Sequence, residues 1–105
     1  MKPCPALWET PSINWNGDVT VCCTDILFKL KIGNINKNTL KELWNSPIMT
    51  EFRIKHIKGE TKDIPVCNEC TGMEPRDKEQ FQAKIALWLI EIKKPELIKE
   101  ARERI

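Results

Sequence analysis

Charge imbalance, long apolar runs and repeated tracts are all missing from this chain. Across 105 residues, 17 Lys and Arg stand against 15 Asp and Glu, a net charge of +2. That is too little to draw a polyanion, and no basic patch interleaved with aromatics occurs, so no nucleic acid partner is expected. No apolar stretch approaches the roughly 20 residues that cross a bilayer, so no membrane span is expected either. The leading residues, Met1-Lys2-Pro3-Cys4, carry no apolar signal segment, and the expected compartment is the cytoplasm. What remains is the composition of one soluble domain, 41% hydrophobic and 30% charged, large enough for a modest core.

Cysteine, by contrast, is abundant. There are five, at positions 4, 22, 23, 67 and 70. An odd number leaves one thiol over in any disulfide framework, and cytosolic chains rarely keep disulfides. Metal or cluster binding is the better use for them. Val66-Cys67-Asn68-Glu69-Cys70 makes one half of a metal clamp, and the other half has to come from Cys4, Cys22 and Cys23 at the front of the chain.

Local patterns say how those cysteines are delivered. Pro3, Pro5 and Pro11 predict a stiff, extended lead segment presenting Cys4. Ser12 to Cys23 reads as a hairpin around Asn16-Gly17. A two-residue loop would pair Ile13 with Thr20. An odd loop puts Ile13, Val19 and Val21 on one face, and a single buried face favours it. Alternation along the strand then sends Cys23 toward the core with the valines and turns Cys22 the other way, toward a metal. Residues 26–35 read as an irregular loop with at most a short strand, ending at the turn signal Gly33-Asn34.

Helical signals follow. Thr39-Leu40-Lys41-Glu42 is a capping box, and Ser46-Pro47 starts a second helix that Gly59 stops. Ile48, Met49, Phe52 and His56 are expected along one face of it. Glu60 to Pro65 is a polar connector to the cysteine turn. Asp77 reads as a helix cap, and Phe81, Ile85, Trp88 and Ile92 recur at helical spacing before Pro95 interrupts. Leu97, Ile98, Ala101 and Ile105 predict a last amphipathic turn or two.

The chemistry asks for four thiolates. Structural zinc sites take four ligands, and so does a cubane iron–sulfur cluster. Cys4, Cys22, Cys67 and Cys70 supply the set, and spacing alone leaves both metals open, since both are thiolate chemistry.

A family resemblance goes further. Cys4, then Gly17-Asp18-Val19-Thr20-Val21-Cys22, then Ile32-Gly33-Asn34-Ile35 come in order. Leu40-Lys41-Glu42-Leu43-Trp44-Asn45-Ser46 and Phe52-Arg53 with His56 and Gly59 follow, closed by Pro65-Val66-Cys67-Asn68-Glu69-Cys70. This order resembles the SPASM/twitch auxiliary-cluster domain found C-terminal to the core of radical S-adenosylmethionine enzymes. The resemblance implies one auxiliary [4Fe-4S] cluster bound by Cys4, Cys22, Cys67 and Cys70. It also implies a radical S-adenosylmethionine core, in the same or another chain, as partner, with a peptide or small molecule as substrate. Cysteines beyond Cys70 are absent, which matches the shorter, one-cluster twitch form. The Cys-x3-Cys-x2-Cys motif of the radical-generating cluster is absent too, so the chain is not expected to cleave S-adenosylmethionine by itself. Four cysteine ligands leave no open iron, which makes electron transfer the more natural role.

The expected fold is therefore α+β: a small β-hairpin, short helices, a cysteine loop and a C-terminal helical segment. Residues 1–73 form the cluster-binding region, and residues 74–105 pack on it, over the apolar face of the hairpin. Cys23 is read as a buried apolar residue and His56 as a surface or capping residue rather than a ligand. Trp8 and Trp15 either shield the centre or pack in the core. The lysines at 29, 31, 37 and 41 are read as solvated surface. Two rivals stand beside this reading. One is a structural zinc domain on the same four cysteines; the other is a carrier module whose apolar C-terminal helix docks a partner enzyme.

Overall fold

A computed structural model of the chain describes residues 3–22, 25, 27–70 and 74–105, without the side chain of Glu69. The expectation for Cys23 lies outside these residues. The first element is a one-turn helix, α1 (Ala6–Glu9), where an extended segment was expected. Pro5 takes helical angles, φ −56° and ψ −28°, as proline readily does at a helix start where no N–H is required of it. The turn buries Ala6, Leu7 and Trp8, and that burial outweighs the stiffness of the flanking prolines.

Strands β1 (Ser12–Ile13), β2 (Asp18–Thr20) and β3 (Lys31–Asn34) form an antiparallel sheet in that order. The hairpin loop is odd, as the single-face argument requires. Ile13 lies opposite Val19, and the Asn14 N–H donates to the Asp18 carbonyl at 2.8 Å. Gly17 supplies the positive φ of the turn, 93°. Val19 and Val21 are fully buried, but Ile13, on the edge strand, is 47% exposed. Thr20, on the opposite face of β2, is buried as well, so both faces of this strand are covered.

Gly33-Asn34 closes β3, a short strand, and Asn34 opens the turn that follows, its carbonyl accepting the Lys37 N–H at 3.1 Å. A bulge between Val19 and Thr20 adjusts the pairing of β2 with β3. Glycine is needed at 33 for a packing reason: a Cβ would run into Cδ2 of Leu43. The sheet and the next helix approach each other at this point.

Helix α2 (Leu40–Trp44) begins with the expected capping box, Thr39 and Glu42 exchanging hydrogen bonds of 3.0 and 3.1 Å. Helix α3 (Pro47–Lys58) starts on the Ser46 cap and stops at Gly59, which takes the left-handed conformation. Its buried face differs from expectation. Met49, Arg53, His56 and Ile57 are buried, whereas Ile48 is exposed and Phe52 only half-buried.

Helix α4 (Lys78–Glu91) is capped by Asp77, which accepts from the Gln80 N–H at 3.1 Å. It buries Phe81, Ile85, Trp88 and Leu89. A turn beginning at Pro95 leads into α5 (Ile98–Arg104), with Ala101 and Ile105 buried. Helix α5 packs chiefly on α3 and α4, and the α4 aromatics Phe81 and Trp88 meet Trp8 edge-on at 5.7 and 5.8 Å. The C-terminal helices thus reach the body through α1 and α3, and their buried residues share one core with Val19 and Val21 of the hairpin. Trp88 belongs to this core, which leaves it no part in a docking face; the exposed apolar residues of α4 are Leu87 and Ile90. The lysines at 29, 31, 37 and 41 are exposed, as expected.

Candidate metal centre

Three separate segments deliver the described cysteines. Cys4 sits immediately before α1, its carbonyl accepting the Leu7 N–H at 3.2 Å. Cys22 follows β2, and its carbonyl accepts the Asp25 N–H at 3.2 Å. Cys67 and Cys70 flank a tight 3-10 turn (Cys67–Glu69), with the Cys70 N–H donating to the Cys67 carbonyl at 3.2 Å. Cys4 and Cys67 are buried; Cys22 and Cys70 are half-buried. All four are thiols rather than disulfides.

The turn that aims Cys67 is strained. Val66 holds φ 71° and ψ −54°, and the Cys67 N–H donates to the Pro65 carbonyl at 2.8 Å. This is a γ-turn of the rarer positive-φ kind. For a β-branched residue such a conformation costs on the order of 1–3 kcal/mol. It swings the chain sharply so that Cys67 enters the interior while Asn68 faces solvent.

A buried carboxylate organises the Cys22 loop. Asp25 is 2% exposed and accepts from Thr20 Oγ1 at 2.6 Å, from the Lys29 N–H at 2.9 Å and from the Leu30 N–H at 2.7 Å. These bonds explain why the second face of β2 is covered: Thr20 turns inward to meet Asp25 there.

Electrostatics links the segments. Burial, first of all, pushes the Cys67 thiol up to about 12, and the nearby Cys4, Cys22 and Cys70, together with Asp25, push in the same direction. Cys67 therefore stands within electrostatic reach of all three other sulfurs. A buried thiol whose ionisation is opposed by desolvation and by its neighbours suits a positively charged centre, which offsets both. Among the described residues, no three His, Cys, Asp or Glu side chains are drawn in closely enough to hold a single metal ion.

Two residues on α3 belong to the surroundings, although the sequence pattern placed one of them elsewhere. His56 is 1% exposed, neither a surface nor a capping residue. Its Nδ1 accepts the backbone N–H of Cys4 at 3.3 Å, and its Nε2 lies 3.4 Å from Cys67 Sγ. Burial brings its pKa down to about 4, so the ring is neutral. One turn earlier, Arg53 donates from Nε to the Leu7 carbonyl at 2.8 Å. Its guanidinium faces the rings of Trp44, Trp88 and Trp8 at 4.9, 5.3 and 6.0 Å. Burial lowers its pKa to about 10. Helix α3 therefore grips the Cys4 arm at two places. The spacing of 49, 53, 56 and 57 carries this face in the sequence, but it competes with the equally helical set 48, 52 and 56.

The tryptophans divide. Trp8 packs in the core beside Arg53, and its buried Nε1 has no hydrogen-bond partner among the described residues. Trp15 is 93% exposed and can neither shield a centre nor pack.

The profile of a family described as the SPASM iron–sulfur cluster-binding domain matches residues 4–71. The S-adenosyl-L-methionine-dependent 2-deoxy-scyllo-inosamine dehydrogenase of Niallia circulans is 26% identical over 65 residues. The matched stretch is 62% of this chain but 26% of that enzyme, so the chain spans about a quarter of its relative's length. No solved structure matches.

Proposed function

Since the chain belongs to the SPASM iron–sulfur cluster-binding family, we propose that it holds one auxiliary [4Fe-4S] cluster on Cys4, Cys22, Cys67 and Cys70. The observation that carries this reading is the Cys67 thiol, pushed up first by its burial and then, in the same direction, by Cys4, Cys22, Cys70 and Asp25. The donor chemistry fits as well: three segments bring four thiols, Cys4 and Cys67 buried and Cys22 and Cys70 half-buried.

When bound, such a cluster supplies one-electron redox chemistry. The chain's residues do the rest. Cys67 and Cys70 present two sulfurs on one turn, and Cys4 and Cys22 close the set from the arm before α1 and the end of β2. Asp25 holds the Cys22 loop through its backbone amides. Close to these groups along the chain, Val21, Leu30 and Ile64 are buried apolar residues. With four cysteine ligands no iron stays open to substrate, which favours electron transfer over direct substrate ligation.

In the whole protein the chain serves a radical S-adenosylmethionine core, in the same or another chain, acting on a small molecule or peptide in the cytoplasm. Residues 1–73 form the cluster-binding region and residues 74–105 the helical segment packed on it. The relative from Niallia circulans, named as a dehydrogenase dependent on S-adenosylmethionine, supports this setting.

Anaerobic purification and reconstitution with iron and sulfide is the test. A brown protein with about four irons and four sulfides per chain is expected, and single Cys→Ala changes at the four positions should each reduce the bound iron. A colourless protein holding one zinc after the same treatment overturns the reading.

A further inference from the structure

His56 touches both the Cys4 arm and the Cys67 sulfur, and the geometry assigns its proton. Nδ1 faces a backbone N–H, that of Cys4, at 3.3 Å. A nitrogen in that position offers its lone pair and carries no proton. The one ring proton is then on Nε2, which points to Cys67 Sγ at 3.4 Å. The imidazole is a hydrogen-bond donor to that sulfur.

We propose that His56 is a positioning residue for the cluster, donating Nε2–H to the Cys67 sulfur and thereby raising the cluster's reduction potential. The inference rests on the cluster reading above. Hydrogen bonds to ligating sulfurs are among the protein's levers on the potential of such centres. One-electron reduction adds negative charge to the cluster and its thiolates. A donor aimed at a thiolate stabilises that added charge, so the reduced state gains more than the oxidised one. Asp25, which also acts on Cys67, pulls the opposite way with its negative charge. The Nδ1 contact adds a second role. Because one rigid ring meets both Cys4 and Cys67, residues 52 and 11 positions away in sequence, the donor cannot drift without moving the arm.

The experiment uses the full chain, reconstituted anaerobically, with iron content and EPR-monitored redox titration as readouts. His56→Leu removes the donor and keeps an apolar filling; its midpoint potential is expected to fall while iron per chain stays near wild type. His56→Gln restores an N–H and an acceptor, and should recover at least half of the shift. In wild type carrying 15N-histidine, the one-electron-reduced centre should show a weak nitrogen coupling of the kind transmitted through a hydrogen bond. An unchanged midpoint in an iron-replete H56L chain overturns this inference alone. If H56L holds no iron, the labelled wild type decides: no coupling, or the strong coupling of a directly bound nitrogen, overturns it. A wild-type chain that takes up no iron overturns the cluster reading and this one together.

Discussion

Arg53 lies under Trp44, its guanidinium carbon 4.9 Å from the ring centre, although the arginine is 2% exposed. A buried cation normally calls for a carboxylate. Here the negative faces of the indoles and one backbone carbonyl take that place. A planar, weakly hydrated guanidinium tolerates such a site far better than a compact ammonium. Arg53→Lys is therefore expected to destabilise the chain by about 2 kcal/mol or more. Arg53→Met, which keeps the stem and removes the charge, should cost less than the lysine change. Urea unfolding midpoints check the order; lysine as stable as arginine would mean that stacking contributes little.

Asp25 ties the Cys22 loop to β2. Asp25→Asn keeps the shape but sets an amide N–H₂ against a backbone N–H donor. A loss of about 2–3 kcal/mol is expected, the range of a hydrogen bond to a charged group. Release of iron to a chelator should be faster than in wild type, because the loop that positions Cys22 is looser. Wild-type release from a destabilised D25N chain would separate the loop's anchoring from its role at the centre.

Gly33 and Leu43 share one space. Gly33→Ala drives its methyl into Leu43 Cδ2 and is expected to cost about 1–3 kcal/mol. Leu43→Ala alone should cost about 2–5 kcal/mol through the cavity left behind. The double variant should cost clearly less than the sum, since the new methyl enters the vacated volume. Strict additivity would show that the strand and α2 move apart freely.

In the metal-free chain the acid–base behaviour of Cys67 can be tested directly. Its thiol is raised from an ordinary 9.0 to about 12, so the metal-free fold prefers the protonated form. The stabilisation is fully present below pH 9 and is lost as the pH climbs toward 12. Unfolding midpoints of the metal-free chain should be flat from pH 7 to about 9 and fall above it, with Cys67→Ser removing part of the fall. At neutral pH an alkylating reagent should label Cys67 more slowly than an unfolded thiol, because the thiolate is the nucleophile.

The helix starts were legible because they depend on neighbours in sequence. Thr39 with Glu42, Ser46 with Pro47 and Asp77 each satisfy orphan backbone groups a few residues away. The odd hairpin loop was legible for a related reason: a strand's alternation permits one register to bury Val19 and Val21. The turn at Gly33-Asn34 was legible too, but the packing reason for glycine at 33 was not, because the approaching Leu43 lies ten residues on. The one-turn helix at Ala6–Glu9 was hidden because only the burial of Leu7 and Trp8 against α3 and α4 justifies it.

By itself the sequence determined the α+β class, the caps, the register of the first hairpin and the candidate thiols, all of which follow from periodicity, turn chemistry and ligand count. Tertiary structure decided which polar groups were taken inside. Burial of Arg53, His56 and Asp25 is tolerable only because distant groups answer them: indole faces, the Leu7 carbonyl, the Cys4 amide, and the amides of Lys29 and Leu30. Such partners have no periodicity. They exist only once the arm, the sheet and α3 have come together, and a buried polar residue without them would unfold the chain.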